Sequence, residues 1–205
     1  MEAKQTTAKS GKKLYSFKSS AIVFSGLPLT GKTTLAKRLA VVSNLEVIDV
    51  DVVREEIDET RKQSPSSKWL SSKQEKAIMK KAYAILCQRA RERIFKGAAI
   101  LLTATFSREE FKKPLKELYS FLQENNIPFK AFLLTAADEK IEKRIEQRRL
   151  KGSVSNVSTL EKYQWAKTIF KPINFVSPTK IDNTSLNSFN KVLVNLRDLL
   201  DDKNV

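Results

Sequence analysis

Histidine is absent from this 205-residue chain, and cysteine occurs once. The first absence excludes imidazole acid–base catalysis, histidine-bound zinc and Ser-His hydrolytic triads. Chemistry must then rest on carboxylates, lysine, arginine and a metal. The single cysteine excludes a disulfide framework and points to a reducing, cytoplasmic compartment. Cys87 lies in the helical run Ala82–Cys87 and is expected to pack as a small buried apolar residue. No apolar run approaches the length of a membrane span, so no membrane partner is expected. The first residues also lack the hydrophobic segment of a secretion signal. Aromatic residues are few, at 8%, and are not interleaved with basic ones as a base-stacking platform requires. Glycine is scarce as well: there are five, and two of them, Gly26 and Gly31, stand in one short stretch.

That stretch, Gly26-Leu27-Pro28-Leu29-Thr30-Gly31-Lys32-Thr33-Thr34, follows the apolar run Ala21–Phe24 and leads into the helix-forming Leu35–Ala40. The order is strand, tight loop, helix, with G-x-x-x-x-G-K-[ST] in the loop. Gly26 and Gly31 let the backbone turn so that successive N–H groups converge on phosphate oxygens. The helix beginning near Lys32 aims its positive end at the same anion. Lys32 can reach the β- and γ-phosphates, and the Thr33 hydroxyl suits Mg²⁺. The loop is therefore read as a nucleoside-triphosphate site.

Thirty-eight basic residues against 23 acidic ones leave a net charge of +15. Such a surface aids solubility, and it also attracts nucleotides, phosphorylated metabolites or a nucleic-acid backbone. Charge alone does not choose among them. Residues 1–18 are rich in Lys, Ser and Thr with little to bury, and read as a disordered basic arm. Residues 19–205 read as one domain.

After the first strand and helix, Leu45–Asp51 reads as a second strand ending in acids, with Asp49 and Asp51 on one face. Arg54 follows on the next helix. A polar break with Pro65 precedes a long basic helix over about 72–96, stopped by Gly97. Ala98–Thr103 is a wholly apolar strand of the buried parallel kind. Ser107 and Glu110 form a capping box for a helix over about 108–125. Then come a strand over 128–134, helices over about 138–151 and 160–170, a short strand at 179–182 and a terminal helix over 186–200. Alternating strand and helix predicts an α/β fold, a three-layer parallel sheet flanked by helices with right-handed crossovers.

Phosphoryl transfer needs a phosphate cradle, a metal, a group to orient or deprotonate the acceptor, and cations for the transferring charge. Asp51 is the candidate base and metal partner of Thr33; the same residue also suits a helix N-cap. Asp49 stands behind it. Arg54 is a candidate acceptor- or phosphate-binding residue. Arg144 and Arg148 share a helical face ahead of a polar segment, as a lid near 144–160 would place cations on the phosphates, or as an outer charged face would. Thr179-Lys180-Ile181-Asp182 matches the guanine-reading T-K-x-D, but no Asp has Gly three positions later, which excludes a GTPase switch.

With these residues placed, the chain resembles small P-loop kinases of the group that includes zeta toxins, chloramphenicol phosphotransferase, gluconate kinase and polynucleotide kinases. The likeness spans about residues 20–200. The group's G-x-P-G-S-G-K-[ST] is GLPLTGKT here, with Leu29 at a usual glycine. Its D-x-x-R matches Asp51 to Arg54, its D-A-T-F aligns with Thr103-Ala104-Thr105-Phe106, and its lid R-x-x-x-R matches Arg144 and Arg148. The resemblance implies an ATP- and Mg²⁺-dependent kinase acting on a hydroxyl. It makes Lys32, Asp51, Arg144 and Arg148 catalytic, and Asp51, Arg54 and Thr103 substrate-binding. Thr103 replaces a usual acid, and Phe111 stands where an arginine often follows. The acceptor is expected to be a small molecule or nucleotide. A polynucleotide 5′-hydroxyl and a non-catalytic ATP-binding role are the alternatives. No motif speaks to oligomeric state.

Overall fold

The computed structural model describes residues 15–57, 73–150, 157–184 and 187–200. The apolar runs become the inner strands: β1 (Ser20–Ser25) and β3 (Ala99–Thr103) are buried along their whole lengths. With β2 (Glu46–Asp49), β4 (Phe129–Thr135) and β5 (Thr179–Asp182) they form one sheet in the order β2-β3-β1-β4-β5. Every pairing is parallel, as the strand–helix alternation predicts.

Along β1 the side chains alternate between two layers. Ala21 and Val23 face a core formed with α2 (Val50–Ile57), α3 (Lys73–Phe95) and α4 (Glu109–Glu124). Ile22 and Phe24 face the opposite core, built with α1 (Lys32–Val42) and α7 (Ser188–Asn195). A third, smaller cluster lies beside the loop after β1 and joins α5 (Asp138–Leu150) to α6 (Leu160–Ile169). The chain leaves β1 at the point where one crossover path runs out to β3 and β2 and the other to β4 and β5. Open parallel sheets bind ligands at this place, outside the carboxyl ends of the strands.

Four local expectations change. Asp51 is not on a strand: β2 ends at Asp49 and α2 begins at Val50. The Asp49 carboxylate accepts the Asp51 backbone N–H at 2.8 Å, so Asp49 is the residue that caps this helix. At α4 the N-cap is Arg108, with no side-chain cap bond, so the Ser107–Glu110 capping box does not form. Residues 15–18 of the expected disordered arm are held in place: Phe17 is buried at 2% exposure and Tyr15 bridges to Ser43. Residues 1–14 of that arm lie outside the described residues. The terminal helix ends at Asn195 and gives way to a 3-10 turn at Arg197–Leu199.

Candidate active site

The loop between β1 and α1 is built around two glycines whose φ angles are +138° at Gly26 and +89° at Gly31. A Cβ at Gly26 would collide with the Leu134 carbonyl of β4, and one at Gly31 with the Asn183 side-chain amide. Gly26 therefore demands glycine for space as well as for conformation, whereas Gly31 demands it for conformation, since the Asn183 side chain could shift aside. Gly31 caps α1 in the left-handed region, and the first turn holds Lys32, Thr33 and Thr34 with no acid. The positive end of an 11-residue helix thus faces the loop without local neutralisation.

The Lys32 ammonium folds back over this loop, donating to the carbonyls of Gly26 at 3.0 Å and Leu27 at 2.8 Å. Burial lowers its pKa to about 8, against the pull of Asp51 and Asp49, and the Arg148 charge pushes the same way as burial. A buried ammonium bonded to two carbonyls at a helix N-terminus, with the Asp51 and Asp49 charges acting only from a distance, is under-compensated, and an anion in the loop would complete it.

Behind the loop, one carboxylate gathers three elements. Asp49 Oδ2 accepts the hydroxyl of Thr33 at 2.7 Å and that of Thr103 at 2.7 Å, while Oδ1 caps α2. The strand register explains it, since Asp49 and Thr103 are paired across β2 and β3. The sequence reading joined Thr33 to Asp51; the structure joins it to Asp49. Asp51 stands one helical position out, its side chain 64% exposed, in an ion pair of 3.1 Å with Arg54.

Arg54 is buried at 9% exposure. Its Nη1 lies 3.6 Å from Met79 Sδ, and its Nε finds no acceptor among the described residues. The guanidinium is thus buried with one donor unmatched, its charge offset by the Asp51 carboxylate. Next to it, Tyr83 of α3 is fully buried and holds the turn after β3. Its hydroxyl lies 2.8 Å from Thr105 Oγ1 and accepts the Phe106 N–H at 3.3 Å. Burial pushes the phenol up to about 12, so it stays a neutral donor. Phe106 takes a left-handed φ of 48°, a strain of about 1–3 kcal/mol for a non-glycine residue. Phe111 stacks flat on Tyr83, with ring centroids 4.8 Å apart. The residue standing where an arginine often follows thus serves packing under this turn.

Arg144 of α5 reaches the loop rather than open space. It donates to the Leu29 carbonyl at 2.7 Å and to the Asn183 carbonyl at 3.1 Å. Burial holds its pKa below the usual arginine value, with the Arg148 charge adding to the effect. Arg149 is turned outward to Glu146, bonding it at 2.8 Å and 3.0 Å. The structure therefore brings together Gly26–Thr34, Asp49, Asp51, Thr103, Arg144 and, through its charge, Arg148. Residues 151–156, part of the expected lid, lie outside the described residues. Sequence reasoning left Asn183 out, although it stands directly after the Ile181-Asp182 pair of the last strand; its Nδ2 donates to the Thr30 carbonyl at 2.7 Å.

Comparison with known proteins bears on the family and the fold. The model of a family described as AAA domain matches residues 22–173. No curated protein matches the chain. Among solved structures, a kinase candidate from Chloroflexus aurantiacus is similar at a TM-score of 0.67 and 18% identity, covering 89% of this chain and 98% of its own. The APS kinase of Mycobacterium tuberculosis, solved with AMPPNP and APS, gives 0.55 at 15% identity, covering 88% and 98%. A gluconokinase from Sinorhizobium meliloti gives 0.55 at 15% identity, covering 87% and 95%. At such identities the likeness is one of fold, the fold of P-loop kinases.

Proposed function

The chain belongs to the AAA-domain family, and from that premise we propose that it is an ATP-dependent phosphotransferase acting on a hydroxyl. One observation carries the reading. The Asp49 carboxylate holds the hydroxyl of Thr33, the first-turn residue of α1, directly below a loop whose geometry only glycine permits at both ends. That donor set, one hydroxyl backed by one carboxylate, suits Mg²⁺, which keeps several waters and takes few protein ligands. Thr33 would hold the ion and Asp49 its water. Bound there, ATP·Mg²⁺ supplies the transferable phosphoryl group and the metal neutralises charge on it.

The protein's own part divides along the sheet edge. The backbone N–H groups from Leu29 to Thr34 and the Lys32 ammonium hold the triphosphate; Pro28 has no N–H to give. Arg148, whose charge acts on Lys32, faces the transferring group. Asp51, exposed and free of the capping duty that Asp49 performs, receives the acceptor's hydroxyl proton. Arg54, whose Nη2 stands beside the Asp51 carboxylate at 3.1 Å, orients the acceptor through an oxygen. Thr103 donates to Asp49 and holds it in place without adding a second charge.

Small molecules are favoured over a polynucleotide 5′-end, because much of the basic charge of α3 is already engaged. Arg89 pairs with Glu56, Arg93 with Glu46, Lys76 with Glu110, and Arg91 lies over the Phe121 ring. The test is an acceptor screen for ATP consumption with sugars, nucleosides and single-stranded oligonucleotides side by side. Transfer to a sugar or nucleoside that persists at high salt supports the reading. Transfer confined to oligonucleotides and lost steeply with salt would replace the small-molecule acceptor. ATP binding with no transfer to any acceptor, in the natural protein and in Asp51→Asn alike, would leave a binding module.

A further inference from the structure

We propose that Leu29 is a positioning residue that locks the phosphate loop to helices α5 and α6, so that the state of the loop is transmitted to the helix carrying Arg144 and Arg148. The inference rests on the reading of the loop as a triphosphate site. Leu29 adopts φ +67°, a conformation that leucine avoids unless its surroundings compel it. What compels it is visible. Its side chain, 6% exposed, is buried among Ile141 of α5, Tyr163 of α6 and Val157, which are 0%, 2% and 4% exposed. This cluster is separate from the two cores on the faces of the sheet, and Ile145, Ala136 and Leu27 pack around it.

The main chain of the same residue is held from the same direction, through the 2.7 Å bond from Arg144 to its carbonyl. Asn183 holds the next carbonyl, that of Thr30, and is itself fixed by the Ser188 hydroxyl at 2.6 Å. One residue of the loop is therefore clamped by side chain and by backbone to the same helix. A phosphate that draws in the amides on either side of Leu29 must rotate its backbone and drag the buried side chain with it. Packed clusters answer such a pull by moving as bodies rather than by stretching. Glycine at this position would leave only the arginine bond.

The reporter is Trp165 on α6, 44% exposed, read in a Trp69→Phe background that removes the other of the two tryptophans. Titration with ATP·Mg²⁺ to saturation is expected to change its emission. Leu29→Gly, and Ile141→Ala on the opposite side of the cluster, should each reduce that change by about fivefold. Leu29→Met, which keeps an apolar side chain, should retain most of it. A second arm needs no nucleotide. In the ATP-free protein, Leu29→Gly should speed amide exchange at Ile141 and Tyr163 by about tenfold and leave β1 and β3 unchanged. These two amides bond the carbonyls of Ala137 and Thr159 in the first turns of their helices, each at 3.1 Å. A full emission response in Leu29→Gly, or exchange that is unaltered or accelerated equally throughout the fold, overturns the proposal. If the natural protein binds no ATP, the triphosphate reading fails, and the exchange arm still decides whether Leu29 locks the two helices.

Discussion

In the proposed reading, the phosphate side of the site and the acceptor side are made in different ways. On the phosphate side the binding groups belong to one run of nine residues, Gly26–Thr34. Recognition there is by backbone amides, a helix end and one lysine, so a local motif contains nearly all of it. On the proposed acceptor side, Asp51 and Arg54 come from α2, and Arg54 rests against Met79 of α3. Recognition there is by side chains that meet only once the sheet has formed. The two adjacent acids mark the boundary. Asp49 is tied by three hydrogen bonds and in the proposed reading serves the metal side; Asp51 is exposed and would serve the acceptor side.

The sharpest way to break that division is to neutralise the acids separately. Asp51→Asn should lower phosphoryl transfer by about 10²–10⁴-fold while ATP still binds, as measured by single-turnover kinetics beside calorimetry. An equal loss of ATP affinity would erase the boundary. Lys32→Ala should weaken ATP·Mg²⁺ binding by about 100-fold, or about 2.7 kcal/mol, with the circular dichroism spectrum unchanged. Unchanged affinity would remove the phosphate side altogether.

Acidity gives a third measure. The free protein loses the Lys32 proton as pH rises through about 8, whereas a bound triphosphate favours the charged ammonium. Binding therefore takes up a proton above that pH, and ATP affinity should be flat below pH 7.5 and fall by up to about tenfold per unit beyond pH 8. Calorimetry in buffers of different ionisation enthalpy reads the uptake directly. Smaller effects come from the framework. Asp49→Ala removes the α2 cap and strands two hydroxyls, at about 1–2 kcal/mol of stability. Tyr83→Phe keeps the stack on Phe111 but leaves the Phe106 N–H and Thr105 without their partner, for about 1–2 kcal/mol by urea unfolding at unchanged slope.

Much of the frame was legible in the sequence. The runs Ala21–Phe24 and Ala98–Thr103 announce buried parallel strands because nothing in them could face water, and Gly97, with φ +89°, ends α3 as its position suggests. The misassignments share a cause. Asp51 was placed on a strand because Leu45–Asp51 alternates well enough to continue, yet the Asp49 side chain competes for the backbone and starts a helix two residues early. The Ser107–Glu110 box has the right spacing, but the turn after β3 is set by Tyr83 and Phe106 instead.

Leu29 stands at a usual glycine of the motif, and its side chain is buried against Ile141 and Tyr163. A nest of amides needs only neighbours in the chain, so the amino-acid order alone determined the loop proposed for a triphosphate. Which carboxylate backs Thr33, what Arg144 grips and why a leucine stands in a glycine's place depend on groups up to 154 residues apart, the span from Leu29 to Asn183. Such pairings follow from sheet order and helix packing, and only the folded protein decided them.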